Sequence, residues 1–329
     1  MKAWKELAMA AVIAWLVPWF MVQAVLTARM EKTPTMDTPT EPAAEETEAQ
    51  SQELIRVKLG AEHTGIPLDD YLTGVILAEI PGSFHMEAKM AQAVVARTYA
   101  LRTVQTTRKH PGAVCSDSNC CQGYLSVQDY LASGGSMEIV TAAQHAVHET
   151  EGMVLTYEGE LIDATYFSCS GGQTEDAVAV WGSDVPYLQS VPSPGEQIAA
   201  HYTDTVTFTP TQFCNALGTK LQGSPTGWFG STVYTEGGGV ASMVIGGRRY
   251  TGTQLRSLLG LRSTAFTVKI EEGNIRITTK GFGHRVGMSQ YGAQAMALAG
   301  KNYEQILRHY YQGTVLERRM INSELPEQR

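Results

Sequence analysis

From Asp69 onward the apolar positions fall at helical spacing. Leu72, Val75 and Ile76 share a face, two acidic residues stand at the start, and Pro81 forces the chain out of helix just after Glu79. The pattern predicts a short helix ending at Glu79, with Ser83 capping a second, longer helix that runs to about residue 103. Residues 138–150 read as a third helix, and residues 253–259 as a fourth, closed by Gly260. Elsewhere the period changes to two. Hairpins are predicted over 153–168, turning at Glu158 and Gly159, over 242–251, turning at Gly246 and Gly247, and over 266–279, turning near Gly273. Helices and antiparallel hairpins in mixed order define an α+β fold.

Composition narrows the class. A chain of 329 residues with 43% hydrophobic content can bury one large core and is neither disordered nor polytopic. Residues 7–28 carry no charge and are mostly apolar, close to the ~20 residues that span hydrocarbon, with Lys2 and Lys5 on one side and Arg29 and Lys32 on the other. The expected topology is a single-pass anchor, with residues 1–6 inside and the large domain exported. The competing reading is a signal peptide cut after Ala24. Residues 29–53 form an acidic tether, with seven acidic residues and one lysine between Glu31 and Glu53. That stretch holds most of the net charge of −8, so the globular part is near neutral. It has no basic stripe, which argues against a nucleic-acid partner.

Residues 110–121, HPGAVCSDSNCC, gather His110, Cys115, Cys120 and Cys121 in one polar loop. Imidazole and thiolate are the ligands zinc prefers, so a Zn2+ site is expected, with a positioning rather than a chemical role if its shell is closed. Two other readings stand beside it. Disulfides suit an exported domain, yet five cysteines leave one over and adjacent cysteines pair poorly. Cys115 with His110 would make a nucleophile and base. An open metal position would instead define a zinc hydrolase, although no H-E-x-x-H motif occurs.

Ser168, Cys169, Ser170, Gly171 and Gly172 form a small-residue loop that allows close approach to a ligand, with Gln173, Thr174, Glu175 and Trp181 following. His284 precedes a helix start at Ser289 and Gln290, within reach of a groove. Glu79 sits at a helix C-terminus, where negative charge is unfavourable, beside Ile80 and Pro81. This suits a proton-transfer group better than a surface charge. On the second helix Arg97 and Tyr99 are read as steering substrate or orienting Glu79, with ion pairing and packing as the plain alternatives.

Three blocks in order, YLTGVILAEIP with EAKMAQAVVARTYAL (71–101), SCSGG (168–172) and GFGHRVGMSQYGA (281–293), resemble the stage II sporulation protein D family. The resemblance implies a domain over 54–318, with 195–263 between the blocks as a possible inserted subdomain and 319–329 as a tail. It implies a membrane-anchored peptidoglycan lytic transglycosylase of spore engulfment that cleaves peptide-stripped glycan strands between MurNAc and GlcNAc, leaving 1,6-anhydroMurNAc ends. Glu79 is the implied acid and base. The implied partners are glycan strands, an amidase or endopeptidase, and a polytopic membrane protein. The implied place is the mother-cell membrane, facing the forespore. Ser168, Ser170, Gly171, Gly172, Gln173, His284, Ser289 and Gln290 fall in the implied substrate-binding blocks. Two departures stand out: Cys120 replaces a histidine of the family's metal set, and Arg285 replaces a usual glycine. Activation of an amidase remains an alternative. So does hydrolysis, with Asp69, Asp70, Glu87, Asp163 or Glu175 as the second carboxylate.

Overall fold

The computed structural model describes residues 54–60, 62–118 and 120–319. The anchor, the tether and the tail after Arg319 lie outside them. Among the described residues no helix is long and apolar enough to cross a membrane.

Strand β1 (Leu54–Leu59) pairs antiparallel with β2 (Glu62–Pro67) and leads into α1 (Leu68–Glu79). Pro81 ends this helix as expected, with Ile80 already extended. The second helix, α2 (Met86–Thr106), begins later than Ser83. His85 is its cap, the imidazole accepting from the Glu87 N–H at 3.3 Å. Next come β3 (Val114–Cys115), which pairs parallel with β1, then α3 (Val127–Ala132) and α4 (Met137–Glu149). Helix α2 is the central post, enclosed by α1 and α4 and by elements from the C-terminal end. Its alanines at 88, 91, 93, 96 and 100 are all buried, and their small size lets neighbours approach from every side.

Two cations buried on this post need partners, and both find backbone carbonyls. Lys89 Nζ donates to Gly82 O and Phe84 O at 2.8 and 2.7 Å, closing the turn that follows Glu79. Arg97, 1% exposed, donates to Thr150 O at 2.7 Å, Val147 O at 3.2 Å and Met153 O at 3.3 Å, and lies 3.8 Å from Asp69. It therefore ties the end of α4 to the post.

Strand β4 (Met153–Tyr157) turns through Glu158 and Gly159, both at positive φ, into a two-residue β5 (Glu160–Leu161). The predicted hairpin stops there. β6 (Tyr166–Phe167) leaves it to pair in parallel with β13 (Met288–Ser289), a contact across more than a hundred residues that no local pattern encodes. The short α5 (Ala177–Trp181) follows.

A second apolar core begins beyond it. β7 (Thr203–Phe208), α6 (Pro210–Ala216), β8 (Phe229–Tyr234), β9 (Val240–Ile245), β10 (Arg248–Thr251), α7 (Gly252–Leu259), β11 (Phe266–Glu271) and β12 (Asn274–Lys280) form two three-stranded sheets with two helices. They enclose Phe213, Trp228, Met243, Tyr250, Leu255 and Ile277. The subdomain thus reaches beyond the expected 195–263, because the 266–280 hairpin pairs with β7. Both predicted turns here form, at Gly246 with Gly247 and at Glu272 with Gly273. After β13 the chain completes the first core with α8 (Gln290–Leu298), α9 (Tyr303–Tyr310) and β14 (Val315–Arg318) against β4.

Arg285 joins the two cores. It adopts φ 69°, a left-handed conformation that favours glycine, and it is 2% exposed. Its guanidinium donates to Glu175 Oε1 at 2.9 Å, Ser170 O at 2.7 Å, Gln173 O at 2.8 Å and Gly237 O at 2.6 Å. Arg285→Ala would leave the fully buried Glu175 without its counter-charge, so a loss of about 3–5 kcal/mol is expected from urea unfolding of the variant.

Candidate active site and metal centre

Glu79 closes α1, and the chain from Gln122 to Leu125 runs back alongside that helix. Leu125 N–H donates to Gly74 O at 3.2 Å, and the Tyr124 ring stacks on Tyr71 with centroids 5.6 Å apart. This path delivers the Gly123 N–H to Glu79 Oε1 at 2.5 Å. A side chain at 123 would place its Cβ 2.9 Å from that oxygen, so glycine is required by the approach rather than by a turn. Gln122, fully buried, donates to Tyr71 Oη at 3.2 Å and to Ala96 O at 3.4 Å. It accepts the Tyr166 hydroxyl at 3.0 Å.

The β6–β13 pair explains how the remote members arrive. Its register sets Tyr166 against Met288 and Phe167 against Ser289, so Tyr166 and Gln290 reach Glu79 together. Burial raises the Glu79 carboxyl above its ordinary value, while the Gly123 N–H and the Gln290 and Tyr166 side chains favour its charged form less strongly. Neither side chain closes a well-formed bond to it: Tyr166 donates to Gln122, and Gln290 Nε2 is buried without a partner. No neighbouring charge is among the causes that shift Glu79.

His284 stands behind Tyr166. Its Nδ1 accepts from the Val286 N–H at 3.2 Å, which leaves Nε2 to donate to Tyr166 O at 3.0 Å. Burial pushes this imidazole down to about 4, so it is neutral at physiological pH and holds the strand rather than transferring protons. Because the folded pKa lies below the unfolded 6.5, its contribution to stability is complete above 6.5 and is lost as pH falls towards 4. Unfolding free energy is expected to drop between pH 7 and 4.5 by an amount that His284→Gln largely removes.

The small-residue loop has a different job from the one its composition suggests. Glu196, fully buried, occupies it: Oε2 accepts from Ser170 Oγ at 2.7 Å, Gly171 N at 2.8 Å, Gly172 N at 3.3 Å and Cys169 Sγ at 3.3 Å. Oε1 accepts from Ser193 Oγ at 2.7 Å. The loop is a nest for an internal carboxylate, and Ser170, Gly171 and Gly172 have their donors engaged. Ser289 caps α8, accepting from the Gly292 N–H at 3.1 Å, and donates to Ser168 O at 3.4 Å. Gln173 Nε2 donates to Ser190 Oγ at 2.8 Å. Arg97, committed to helix-end carbonyls, is an anchor. Burial pushes the Tyr99 hydroxyl up to about 12, with Cys121 and Asp163 near it.

Of the expected residues, the fold brings Glu79 and Gln290 together with His284 behind them. Gln122, Gly123 and Tyr166 were not anticipated. Their local sequence carries no catalytic signature, and only the position of Gln122 and Gly123 directly after Cys121 hinted at it.

His110, Cys115, Cys120 and Cys121 converge, with ligand atoms all within 4.8 Å of one another. His110 Nε2 lies 3.4 Å from Cys120 Sγ. A tetrahedral zinc shell spaces such atoms by roughly 3.5–3.8 Å, so the donor set and its spread fit Zn2+ with four protein ligands. Asp117 O accepts the N–H groups of Cys120 and Cys121 at 3.0 and 2.8 Å, turning both thiols inward. All five cysteines are free thiols. Burial pushes Cys121 up to about 12 and raises Cys120, the opposite of an activated nucleophile.

The chain from 61 to 157 matches the family model of the stage II sporulation protein, SpoIID. It is 41% identical over 278 residues to stage II sporulation protein D of Bacillus amyloliquefaciens, covering 82% of this chain and 80% of that protein. Over 255 residues it is 41% identical to stage II sporulation protein D of Bacillus subtilis, covering 76% and 74%. The amidase enhancer of Bacillus subtilis is 31% identical over 307 residues, covering 74% of this chain and 40% of that longer protein. The buried glutamate at a helix end and the thiol-rich loop that leads to Gly123 both fall within the matched segment 61–157. The chain belongs to the stage II sporulation protein D family.

Proposed function

We propose that this protein is a lytic transglycosylase of peptidoglycan, cleaving glycan strands between MurNAc and GlcNAc with Glu79 as its single acid and base. The observation that carries the reading is the environment of Glu79: a carboxyl raised by burial, held by the Gly123 N–H with the Gln290 and Tyr166 side chains close by, and with no neighbouring charge among the causes of its shift. A hydrolase of the two-carboxylate kind sets its pair roughly 5–9.5 Å apart, close enough for each charge to act on the other. Glu175, one alternative partner, is bound to Arg285 instead.

In this mechanism the Gly123 N–H holds Oε1, and Oε2 carries the proton. Glu79 gives that proton to the glycosidic oxygen as the bond to the anomeric carbon breaks, and GlcNAc departs with a free hydroxyl. The resulting carboxylate then takes the proton of the muramyl 6-hydroxyl, whose oxygen bonds to the anomeric carbon and closes the 1,6-anhydro ring. Gln290 Nε2 and the Tyr166 hydroxyl stabilise the carboxylate between the two transfers. Zn2+ bound at the cysteine loop would supply thiolate-fixing charge and no reacting group. Cys121 lies two residues from Gly123, so a fixed loop fixes the N–H that orients Glu79.

In the same reading residues 7–28 anchor the domain to the membrane and residues 29–53 tether it, with an amidase or endopeptidase preparing the strands. Mass spectrometry of products from peptide-free strands tests the chemistry: anhydro ends support the proposal, and reducing ends replace it with hydrolysis. Similarity to the amidase enhancer favours one second reading, a groove that binds glycan and activates an amidase. Strand binding without any cleavage would select it.

A further inference from the structure

Three of the five buried side-chain polar atoms that lack a hydrogen-bond partner among the described residues belong to two glutamines: both amide atoms of Gln92, and Nε2 of Gln290. Gln92 is 1% exposed, so bulk water does not reach it. A buried amide with nothing to bond costs stability, and two such amides in one place call for an explanation.

Helix geometry brings both to Glu79. Lys89, Gln92, Ala96 and Tyr99 follow at spacings of three, four and three, and so line one face of α2. Lys89 reaches Gly82 O and Phe84 O in the turn after Glu79. The Ala96 carbonyl accepts from Gln122, and the next residue, Gly123, holds the Glu79 carboxyl. Gln92 lies between those two attachments, at the level of Glu79 on the post. Helix α8 packs along α2, with Gln294 bonded to the His85 N–H at the start of the post and the Tyr291 ring edge-on to Phe84 at 5.1 Å. Gln290, one turn before Gln294, reaches Glu79. The two helices therefore run antiparallel here, which sets Gln290 beside the stretch of α2 that carries Gln92.

The Gly123 N–H bonds to Glu79 Oε1, and the Gln290 amide stands close without closing a bond. A resting acid with its proton on Oε2 asks for no further donor there. The carboxylate left when that proton departs does.

We infer that Gln92 is a positioning residue of this site: once Glu79 ionises, Gln290 Nε2 closes on the carboxylate with one hydrogen, and Gln92 Oε1 holds it there by accepting the other. Gln92 does not touch the reacting atoms and acts through Gln290. The unpaired amides of the acid form belong to a network that is complete only in the charged form, which favours the carboxylate between the two proton transfers. The inference deepens the acid–base reading of Glu79 and rests on it. The other titratable groups around the pocket, Tyr71, Tyr99, Tyr166 and Tyr311, are all lifted by burial above their ordinary value, and Lys89 is committed to its two carbonyls. The tyrosines stay protonated while Glu79 titrates.

Carboxyl NMR of the full chain in detergent tests this without turnover, using isotope-labelled glutamate and a Glu79 signal identified by its loss in Glu79→Gln. Gln92→Met fills similar volume without polar atoms. It should move the midpoint of the Glu79 titration up by about one pH unit, the size expected when the charged form loses a charge-assisted contact. The melting temperature should stay level or rise, because an unpaired amide gives way to an apolar chain. Gln290→Met should move the midpoint at least as far, and adding Gln92→Met to it should change nothing more. In the parent chain the side-chain amide signals of both glutamines should shift as Glu79 ionises and hold still in Glu79→Gln, a measurement that needs no variant at either glutamine. A midpoint unmoved by Gln92→Met overturns the inference, and a lowered melting temperature beside it marks a merely structural glutamine. Amide signals indifferent to the titration overturn it too, as does a Gln92→Met effect that persists in full beside Gln290→Met. Reducing-end products, or no cleavage at all, would instead sink the transglycosylase reading and leave these titrations as they are.

Discussion

Glu79→Gln is expected to lower strand cleavage by about a thousandfold or more while glycan binding persists, because an amide matches the shape of the acid but transfers no proton. Anhydro-ended sugar released from peptide-free strands per unit time is the measure, and a folded variant that keeps a tenth of the rate would remove Glu79 from the chemistry. The pH profile should carry the same signature. The first step needs the acid form, so the rate should decline as pH rises through the Glu79 pKa, which burial sets above the ordinary 4.5. Stability should move the opposite way between the two proteins. With the folded pKa above the unfolded one, the proton on Glu79 stabilises the fold fully below the unfolded value, and this is lost as pH rises through the folded value. Glutamine cannot ionise. The variant should therefore be the more stable protein at pH 7 to 8 and lose that advantage towards pH 4, as urea titrations at both ends would reveal.

Removing the Zn2+ proposed for the cysteine loop is the second large perturbation. Chelation, or Cys121→Ser, is expected to release about one equivalent of zinc, lower the melting temperature by on the order of 10 °C and slow cleavage at least tenfold. The physical route is short: Cys121, Gln122 and Gly123 are consecutive, Gln122 braces Tyr71, Ala96 and Tyr166, and Gly123 holds Glu79. Loosening the thiols frees the whole bracket. Hydrogen exchange at the Gly123 amide reports this independently of activity and should accelerate on chelation. An amide equally protected with and without metal, or protein purified with far less than one equivalent of zinc and its thiols intact, would end the idea that the loop positions the site through an ion.

Local sequence was enough for everything governed by neighbours within a few residues. The helix stop at Glu79, the turns at Gly246 with Gly247 and at Glu272 with Gly273, and the Gly260 cap all follow from proline, glycine and apolar spacing. His110 and the three cysteines also converge, because ten residues of turn-forming chain leave few other ways to fold. Glu79 stood out for the same reason, an acid at a helix C-terminus beside apolar residues being locally improbable on a surface, and the fold buries it. Ser83 misled because serine and His85 both accept an N–H, and only the placement of Gln294, whose Oε1 takes the His85 N–H at 2.7 Å, decides where α2 starts.

What lay beyond that range needed the tertiary structure. Arg97, Ser170 and Gly171 looked available for substrate because their partners, Thr150, Val147 and Glu196, stand 25 to 53 residues away. Tyr166 reaches Glu79 only through a parallel pairing with Met288, and strand pairing at such separation leaves no period in either segment to read. Arg285, beside the motif, is buried in an ion pair with Glu175, a partner 110 residues away that no local pattern announces. Charge and size are properties of a residue, whereas having a partner is a property of the fold, since it depends on which distant groups the chain brings within hydrogen-bonding distance.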